Sequence, residues 1–443
     1  MHQHPRYDFK RFGVPLKLYG DGTPSTGVGK AWCKLVDAII CSSCLAPSGK
    51  SWLSNYILTF MHEALMAFDA NKDQITMDHF WKEIVWSIYW LYQGVHPDRG
   101  PDNVLYIPSD GEKYRIRRTP LAGGHFGVVW VLAGDLDYCH KRLLLADFNK
   151  PSEPCTCCAA NNSDAPWTQC IDGHSEWQNR IWTCAGYAAA KPNRHRLLRH
   201  VPGLGISMYI PDEMHAKHLG PDKSFAGSVL RNLTHHVLAG PDADNLASML
   251  REIKSDYKQH RTTTRFQTIT ANMIQGRKKL PELRGKAAQI RSLLPTLARI
   301  WEKHMDANKD PHRDILDGLK ASIEIDRLMN KHRTEPRMPL AARTAFRAAC
   351  FRYVQTITAL VTHYHPHTPL FNITTKAHIL LHIGMIAAYI NPALGAVWQG
   401  EDMMRVVRRL VAASSCGNTI VQCQRSSVER YCRAIDFELA NPL

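Results

Sequence analysis

Acidic residues are under-represented in this 443-residue chain, with 40 Asp and Glu against 55 Lys and Arg, which leaves a formal net charge of +15. With a pI near 9.2, that balance favours a polyanionic partner, nucleic acid first; the plainer alternative is a basic enzyme. Long apolar runs are missing too. The longest, FGVVWVLAG and ILLHIGMIAAYI, fall short of the about 18 residues of a membrane span, so no membrane partner is expected. The opening MHQHPRYDFKRFG has no apolar core, so no secretory signal is expected and the thiols should be reduced. G-x-S-x-G and H-E-x-x-H are absent, as are internal repeats and long low-complexity tracts. The run LKLYGDGTPSTGVGKAW ends in Gly29-Lys30, but a phosphate loop needs glycine where Pro24 stands and a hydroxyl where Ala31 stands. The nucleotide-cradle reading therefore fails.

Cysteine and histidine are plentiful, at 13 and 23. Clustered thiols in a chain without a secretory signal point to metal before disulfide. Length suggests about two to three domains, and 44% hydrophobic content can fill a sizeable core. VPLKLYGDG, residues 14–22, reads as a strand, and KLVDAIICSSCLA as a second. WLSNYILTFMHEALMAFDAN reads as strand or turn and then helix. MDHFWKEIVWSIYWLYQGV has helical periodicity, with Phe80, Ile84, Ile88 and Leu91 on one face. KYRIRRTPLAGGHFGVVWVLAGD reads as two strands, the second buried and ending at Asp135. Residues 150–185 are loop-rich and cysteine-rich, residues 222–360 largely helical, and TTKAHILLHIGMIAAYI and GEDMMRVVRRLVAASS give two further helices. The order predicts an α/β layer with a helical insert.

Asp21 ends the first strand between two glycines, Asp135 ends the buried strand, and Glu401 opens a helix. Strand-end carboxylates project into a shared crevice, and a helix-borne Glu can complete the set. Three hard oxygen ligands suit Mg²⁺ or Mn²⁺, and two such ions can clamp both oxygens of a phosphodiester in displacement. Taken one at a time, each acid reads first as a turn residue or helix N-cap. Cys155 and Cys158 have metal-knuckle spacing, with Cys157 as an alternative ligand, and His378 and His382 share a helix face. Together they make a Cys₂His₂ set that would close a tetrahedral, structural zinc site; the alternative is core histidines and free thiols. Asp212, His215 and His218 in PDEMHAKHLG offer a weaker metal set, more often a helix start with satisfied polar groups. His363, His365 and His367 read as an exposed loop, and Arg405, Arg408 and Arg409 as phosphate contacts or a solvated face.

The ordered set of Asp21-Gly22, Asp135, Cys155-x-x-Cys158, a helical insertion, His378-x-x-x-His382 and Glu401 resembles the zinc-stapled DDE transposases of eukaryotes. The CACTA and Transib groups and the V(D)J recombinase catalytic subunit share that layout, and the tail is similar to transposase-derived proteins of protist genomes. The resemblance spans residues 14–435. It implies an RNase H-like (retroviral-integrase-type) α/β core with a zinc-binding loop and a large all-α insertion. Residues 1–150 would begin the core, 151–221 bind zinc, 222–360 form the insertion, and 361–443 complete the core and active site. Asp21, Asp135 and Glu401 would be the catalytic Mg²⁺ or Mn²⁺ ligands, with Asp137 and Asp402 as competing neighbours. Cys155, Cys158, His378 and His382 would bind zinc, and Asp212 with His215 would be structural. The glycines around Asp21 are expected to let backbone and metal approach closely. The activity implied is DNA cleavage and strand transfer in the nucleus by a homo-oligomer. Because the chain begins almost at its first strand, a separate DNA-binding partner or a missing N-terminal domain is also expected. The alternative is a catalytically silent, transposase-derived, zinc-stabilised DNA-binding protein; a third reading is a helical scaffold without a nucleic-acid role.

Overall fold

The computed structural model describes residues 9–24, 35–44, 55–69, 75–276 and 280–440, so Gly29, Lys30 and Ala31 lie outside the described residues. In chain order the strands and long helices are β1 (Gly13–Thr23), β2 (Val36–Ser43), β3 (Asn55–His62), α1 (Ile75–Gln93), β4 (Phe126–Gly134), α2 (Leu136–Leu143) and α3 (Pro221–Asn232). There follow α4 (Asp242–Gln259), α5 (Ala287–His304), α6 (Asp310–Lys331), α7 (Leu340–Tyr364), α8 (Thr375–Ile386), α9 (Trp398–Ser414) and α10 (Ile420–Ala440). The fold is mixed α/β, with one four-stranded mixed sheet. The chain divides into two units, one of Met1–Leu145, Thr183–Tyr209 and Val397–Leu443, the other of Ala146–Trp182 and Ile210–Ala396.

The first unit carries the sheet, in the order β3-β2-β1-β4. β1, β2 and β3 form an antiparallel meander, while β4 runs parallel to β1. A strand parallel to its neighbour needs a crossover, and α1 lies in it. β4 is a near-continuous apolar run, FGVVWVLAG, buried along almost its whole length, as a strand covered on both faces should be. α1 packs on it where a Cβ at Gly127 would lie 2.7 Å from Leu91. The helix buries Met77, Trp81, Ile84, Val85 and Ile88, a stripe at i, i+4, i+7, i+8 and i+11. Ile84 and Ile88 fall where the periodicity puts them, while Phe80 and Leu91 are only half-buried. Each fully buried large side chain here contributes about 1.5–3 kcal/mol.

Two local expectations fail. After β3 there is only a one-turn helix, Glu63–Leu65, before the described chain breaks off at 69; so short an apolar repeat cannot sustain a helix without packing. KYRIRRTP is not a strand but holds a helical turn, Glu112–Ile116, and Arg117 folds back 3.4 Å over the Tyr114 ring. Two apolar residues among four cations offer no face to bury in a sheet. α10 falls in the expected C-terminal helical region but was not singled out as a helix of its own. It shields the edge strand β3: Ile57 N donates to Tyr431 Oη at 2.7 Å, and Gln424 Nε2 donates to Phe60 O at 2.7 Å. Covering unpaired edge groups is a standard protection against strand-to-strand association.

The second unit combines the cysteine-rich loop with α3 to α8. α5, α6 and α7 pack in sequence, and α8 lies on α7. Its core includes Phe225, Leu293, Trp301, Leu319, Phe346 and Tyr353, all essentially inaccessible. Trp301 Nε1 donates to His312 O at 2.8 Å, satisfying the one polar atom of that ring. No described helix is long and apolar enough to cross a membrane.

Candidate functional site

The parallel pairing with β1 ends where β4 ends, but β1 itself does not stop at Asp21 as expected: it runs on to Thr23, held by its ladder to β2. Gly20 is the register partner of Gly134, so Asp21 and Asp135 follow on neighbouring chains whose Cα atoms are about 5 Å apart at normal sheet spacing. A Cβ at Gly134 would lie 2.8 Å from the Gly20 carbonyl oxygen, so the close approach depends on glycine. Tyr19 and Asp21 share one face of β1, and Tyr19 Oη donates to Asp21 Oδ2 at 2.5 Å. α9 packs on β1, and a Cβ at Gly400 would overlap the Tyr19 ring. Glu401 is the next residue along α9, half-buried.

Asp135 occupies the N-cap position of α2, yet its carboxylate accepts no N–H of that helix's first turn. The capping role that an acid at this position ordinarily takes is not the one it plays. All three acids are half-buried. Their oxygens do not form a group lying wholly within 4.8 Å, as the ligand atoms of two other clusters do. A single ion needs such a closed cage. Two ions about 3.5–4 Å apart, each with oxygens at about 2.0–2.1 Å, need a more open one. The neighbouring acids are engaged elsewhere: Asp137 pairs with Lys141 at 2.7 Å and Asp402 with Arg405 at 2.9 Å, both about half exposed.

The glycines around Asp21 serve a different purpose from the one expected. A Cβ at Gly20 would overlap the ring of Tyr138, and one at Gly22 would come within 2.9 Å of Asp37 Oδ1. Both lie on the face opposite Asp21, so they make room for protein rather than metal. Asp37 is held by buried Arg142 at 2.5 Å, and Arg142 also reaches Glu63 at 3.1 Å. Burial pushes the Asp37 carboxyl up despite that guanidinium, and burial raises the Tyr138 phenol well above its usual range.

A second site lies wholly in the other unit. Cys155, Cys158, His378 and His382 are all buried, with ligand atoms within 4.8 Å of one another. Cys158 Sγ is 3.3 Å from His378 Nε2 and 3.2 Å from His382 Nε2. A tetrahedral zinc with bonds of about 2.0–2.3 Å spaces its ligands roughly 3.5 Å apart, so the cluster is compatible with zinc. The loop is pinned by Ala159 N to Arg180 O at 3.0 Å and Trp182 N to Cys157 O at 3.0 Å. Cys157 N donates to Cys155 Sγ at 3.3 Å, while the Cys157 thiol is not one of the four. Trp177, fully buried, covers both imidazoles, its ring 4.6 Å from His378 and 4.8 Å from His382. Burial works against the Cys155 thiolate, but hydrogen bonds from Cys157 and Cys158 and the two imidazoles outweigh it and hold the group well down. Burial, with Cys155 beside it, pushes Cys158 up. One thiol thus keeps the proton that a metal would displace.

The segment containing Asp212, His215 and His218 folds into a π-helical turn, Met214–His218. Asp212 accepts from Met214 N at 3.2 Å and His215 N at 2.9 Å, and contacts His215 Nδ1 at 2.6 Å, so it organises the turn. His218 meets Glu213 at 3.1 Å through Nε2 and Asp222 at 2.7 Å through Nδ1. Glu213, His218 and Asp326 also gather within 4.8 Å. Lys217 Nζ, however, already sits between Asp222 at 2.8 Å and Asp326 at 3.0 Å, where a metal would be.

Sequence reasoning passed over Tyr19, which the two-residue strand period puts beside Asp21, and Asp222, one helical turn from His218. Nothing in the spacing marked Trp177 or Asp326. Of the remaining candidates, His363, His365 and His367 are exposed. Arg409 lines a groove of about 610 Å³ with Arg430 and Arg433, while Arg405 is paired as above. Comparison of the chain with models of known protein families and with curated proteins yields no match.

Proposed function

We propose that this protein is a metal-dependent DNA nuclease and strand transferase of the transposase type, built on an RNase H-like core. The observation that supports the reading is the Gly20–Gly134 register, after which Asp21 and Asp135 follow on neighbouring chains; the packing of α9 on β1 is compatible with Glu401 as the third acid. Asp21, Asp135 and Glu401 would hold two Mg²⁺ or Mn²⁺ ions, which when bound activate water and stabilise the leaving oxygen. Tyr19 Oη donates to Asp21 Oδ2 and Gly22 N to Oδ1 at 2.7 Å, which would fix the orientation of the carboxylate. The exposed Arg409, Arg430 and Arg433 groove would bind the phosphate backbone of transposon ends and target DNA. Cys155, Cys158, His378 and His382 would bind zinc structurally, since all four positions are filled and none is open for substrate. Acting on chromosomal DNA, the protein would work in the nucleus, as a homo-oligomer that brings two ends together.

The test is nicking of supercoiled DNA with Mn²⁺. Wild type should nick, and Asp135→Ala should lose at least about a hundredfold, since removing one ligand of a metal pair disables the displacement. Equal nicking by both proteins overturns the assignment. DNA binding with no nicking by wild type leaves the zinc-stabilised, catalytically silent DNA-binding reading in its place.

A further inference from the structure

A pocket of about 490 Å³ opens on the sheet-bearing unit, between α1, residues 99–103, Arg118 and the short helix Arg196–His200. Its size falls within the about 300–1,000 Å³ of small-molecule sites. Aromatic rings and cations share its wall: Trp86, Tyr89 and Trp90 with Lys82, Arg99, Arg118 and Arg196. None of these residues belongs to the carboxylate crevice, the zinc cluster or the arginine groove.

The cations are held in place rather than left mobile. Asp98 binds Arg99 at 2.8 Å and Arg118 at 2.5 Å, Asp102 pairs with Lys82, and Asp78 grips Arg196 through two bonds of 3.0 and 2.7 Å. Three carboxylates face four cations, so the pocket keeps a positive charge. His200 on its wall is kept neutral by partial burial and by Arg199, Arg196 and Arg194 nearby, which push its pKa down. An anionic ligand is therefore favoured over a cationic one.

The aromatic part specifies a flat ligand. Arg118 lies 4.8 Å over the Trp90 ring, a guanidinium–indole stack that widens the planar platform. Tyr89 stands edge-on to Trp90 at 5.4 Å and is 40% exposed. Trp86 is anchored by its Nε1 donating to Arg99 O at 2.9 Å. Asn103, in left-handed backbone at φ 65, accepts at its Oδ1 from Arg99 Nη1 at 3.0 Å. Its amide nitrogen can then donate to an acceptor on a ligand's edge. Stacking surface, an amide at the rim and fixed guanidinium groups are the three contacts that a nucleobase with its phosphate requires.

We propose that this pocket binds a nucleoside phosphate, the base stacked against Tyr89 and Trp86 and the phosphate on Arg99 and Arg118. The nucleotide comes from an unpaired stretch of a nucleic-acid strand or from the free pool, and the test separates the two. The inference stands apart from the carboxylate site, and its readout is binding, not cleavage.

The experiment is photocrosslinking of a single strand carrying 5-iododeoxyuridine to the full chain, with the modified peptide mapped by mass spectrometry. Anisotropy titrations of the same strand and of a matched duplex accompany it. Crosslinks should fall within residues 82–118. Tyr89→Ala with Arg118→Ala, both at exposed side chains, should weaken single-strand binding at least about tenfold, as loss of one stacked base does. Duplex binding should change less than about twofold, Tyr89→Phe should bind as wild type, and the melting curve should be unaltered. Displacement of the strand by a millimolar mononucleotide assigns the pocket to free nucleotide; no displacement assigns it to a strand. Crosslinks elsewhere with unchanged affinity in the double variant overturn the proposal. So does failure of both the strand and the mononucleotide to bind.

Discussion

Two buried clusters in the helical unit have the same raw material and opposite needs. Cys155, Cys158, His378 and His382 meet with no cation among them, and Glu213, His218 and Asp326 meet around Lys217. In the second cluster the ammonium of Lys217, the imidazole of His218 and the guanidinium of Arg291, 3.9 Å from Asp326, balance three carboxylates from Glu213, Asp222 and Asp326. Ser322 and Tyr353 donate the remaining hydrogen bonds to Asp222, at 2.8 and 2.9 Å. Proximity of ligating side chains is thus not enough to make a metal site. What distinguishes one is a charge deficit that the protein does not fill itself.

The comparison breaks most visibly at the cysteine cluster. Purified protein should carry one zinc per chain, and Cys158→Ser should lose it and melt roughly 10 °C or more lower, because structural zinc contributes folding energy directly. Elemental analysis and calorimetry check both. One zinc per chain that survives Cys158→Ser and is lost in His218→Gln would show that the cluster beside Lys217 takes a metal after all. At that cluster the damaging change is Asp222→Asn. It strips Lys217 and His218 of a shared partner and should cost about 3–5 kcal/mol in urea unfolding, the usual penalty for a buried charge left unpaired. Zinc content should be unchanged.

A finer test is pH. Burial and Lys217 push His218 down, but Asp326, Glu213 and the hydrogen bond to Asp222 outweigh them and lift its pKa to about 9. Burial pushes Glu213 up, but His218, Lys217 and Arg291 outweigh it and hold it at about 2. α7 adds Cys350 and Tyr353, both raised chiefly by burial, and so uncharged through this range. A base whose folded pKa is raised stabilises fully below its unfolded value of 6.5 and loses that contribution as pH climbs to about 9. A carboxylate whose folded pKa is depressed stabilises above 4.5 and loses that contribution as pH falls towards 2. Stability should therefore plateau between those limits and fall by about 3 kcal/mol on the alkaline side from His218 alone. Urea midpoints from pH 6 to 9.5 should show the slope in wild type and a flatter one in His218→Gln. Equal slopes would remove His218 from the account.

The same contrast explains what was legible beforehand. Asp135 at the end of β4 and the burial of that strand could be read because apolar runs and their ends are local signals, whereas Asp21 was misplaced at a strand end because the β2 ladder that carries β1 on to Thr23 is not local. The Cys-x-x-Cys and the i, i+4 histidines could be read because ligand spacing is local too, although the pairing of residues 220 positions apart is a fact of the fold. Lys217 between Asp222 and Asp326 could not, because a lysine reads as surface until its partners arrive from another helix. The role of Gly20 and Gly22 was misread for a related reason: what fills the space beside a glycine, here Tyr138 and Asp37, is set by neighbours distant in sequence.

The smallest expected effect sharpens the assignment of the carboxylate crevice. Asp137 and Asp402 lie within two residues of Asp135 and Glu401, carry the same functional group and begin the same helices. They differ in being about half exposed and tied to Lys141 and Arg405 on their own helices. Exposed pairs of this kind are worth only about 0.3–0.5 kcal/mol. Asp137→Ala and Asp402→Ala should therefore leave the urea midpoint almost unmoved and nicking within about twofold of wild type. Asp135→Ala and Glu401→Ala should be similarly mild in stability and abolish nicking. If Asp137→Ala abolishes nicking instead, the catalytic acid lies two residues further along, on α2 rather than at the end of β4, and the register of Gly20 with Gly134 is not what aligns the reaction.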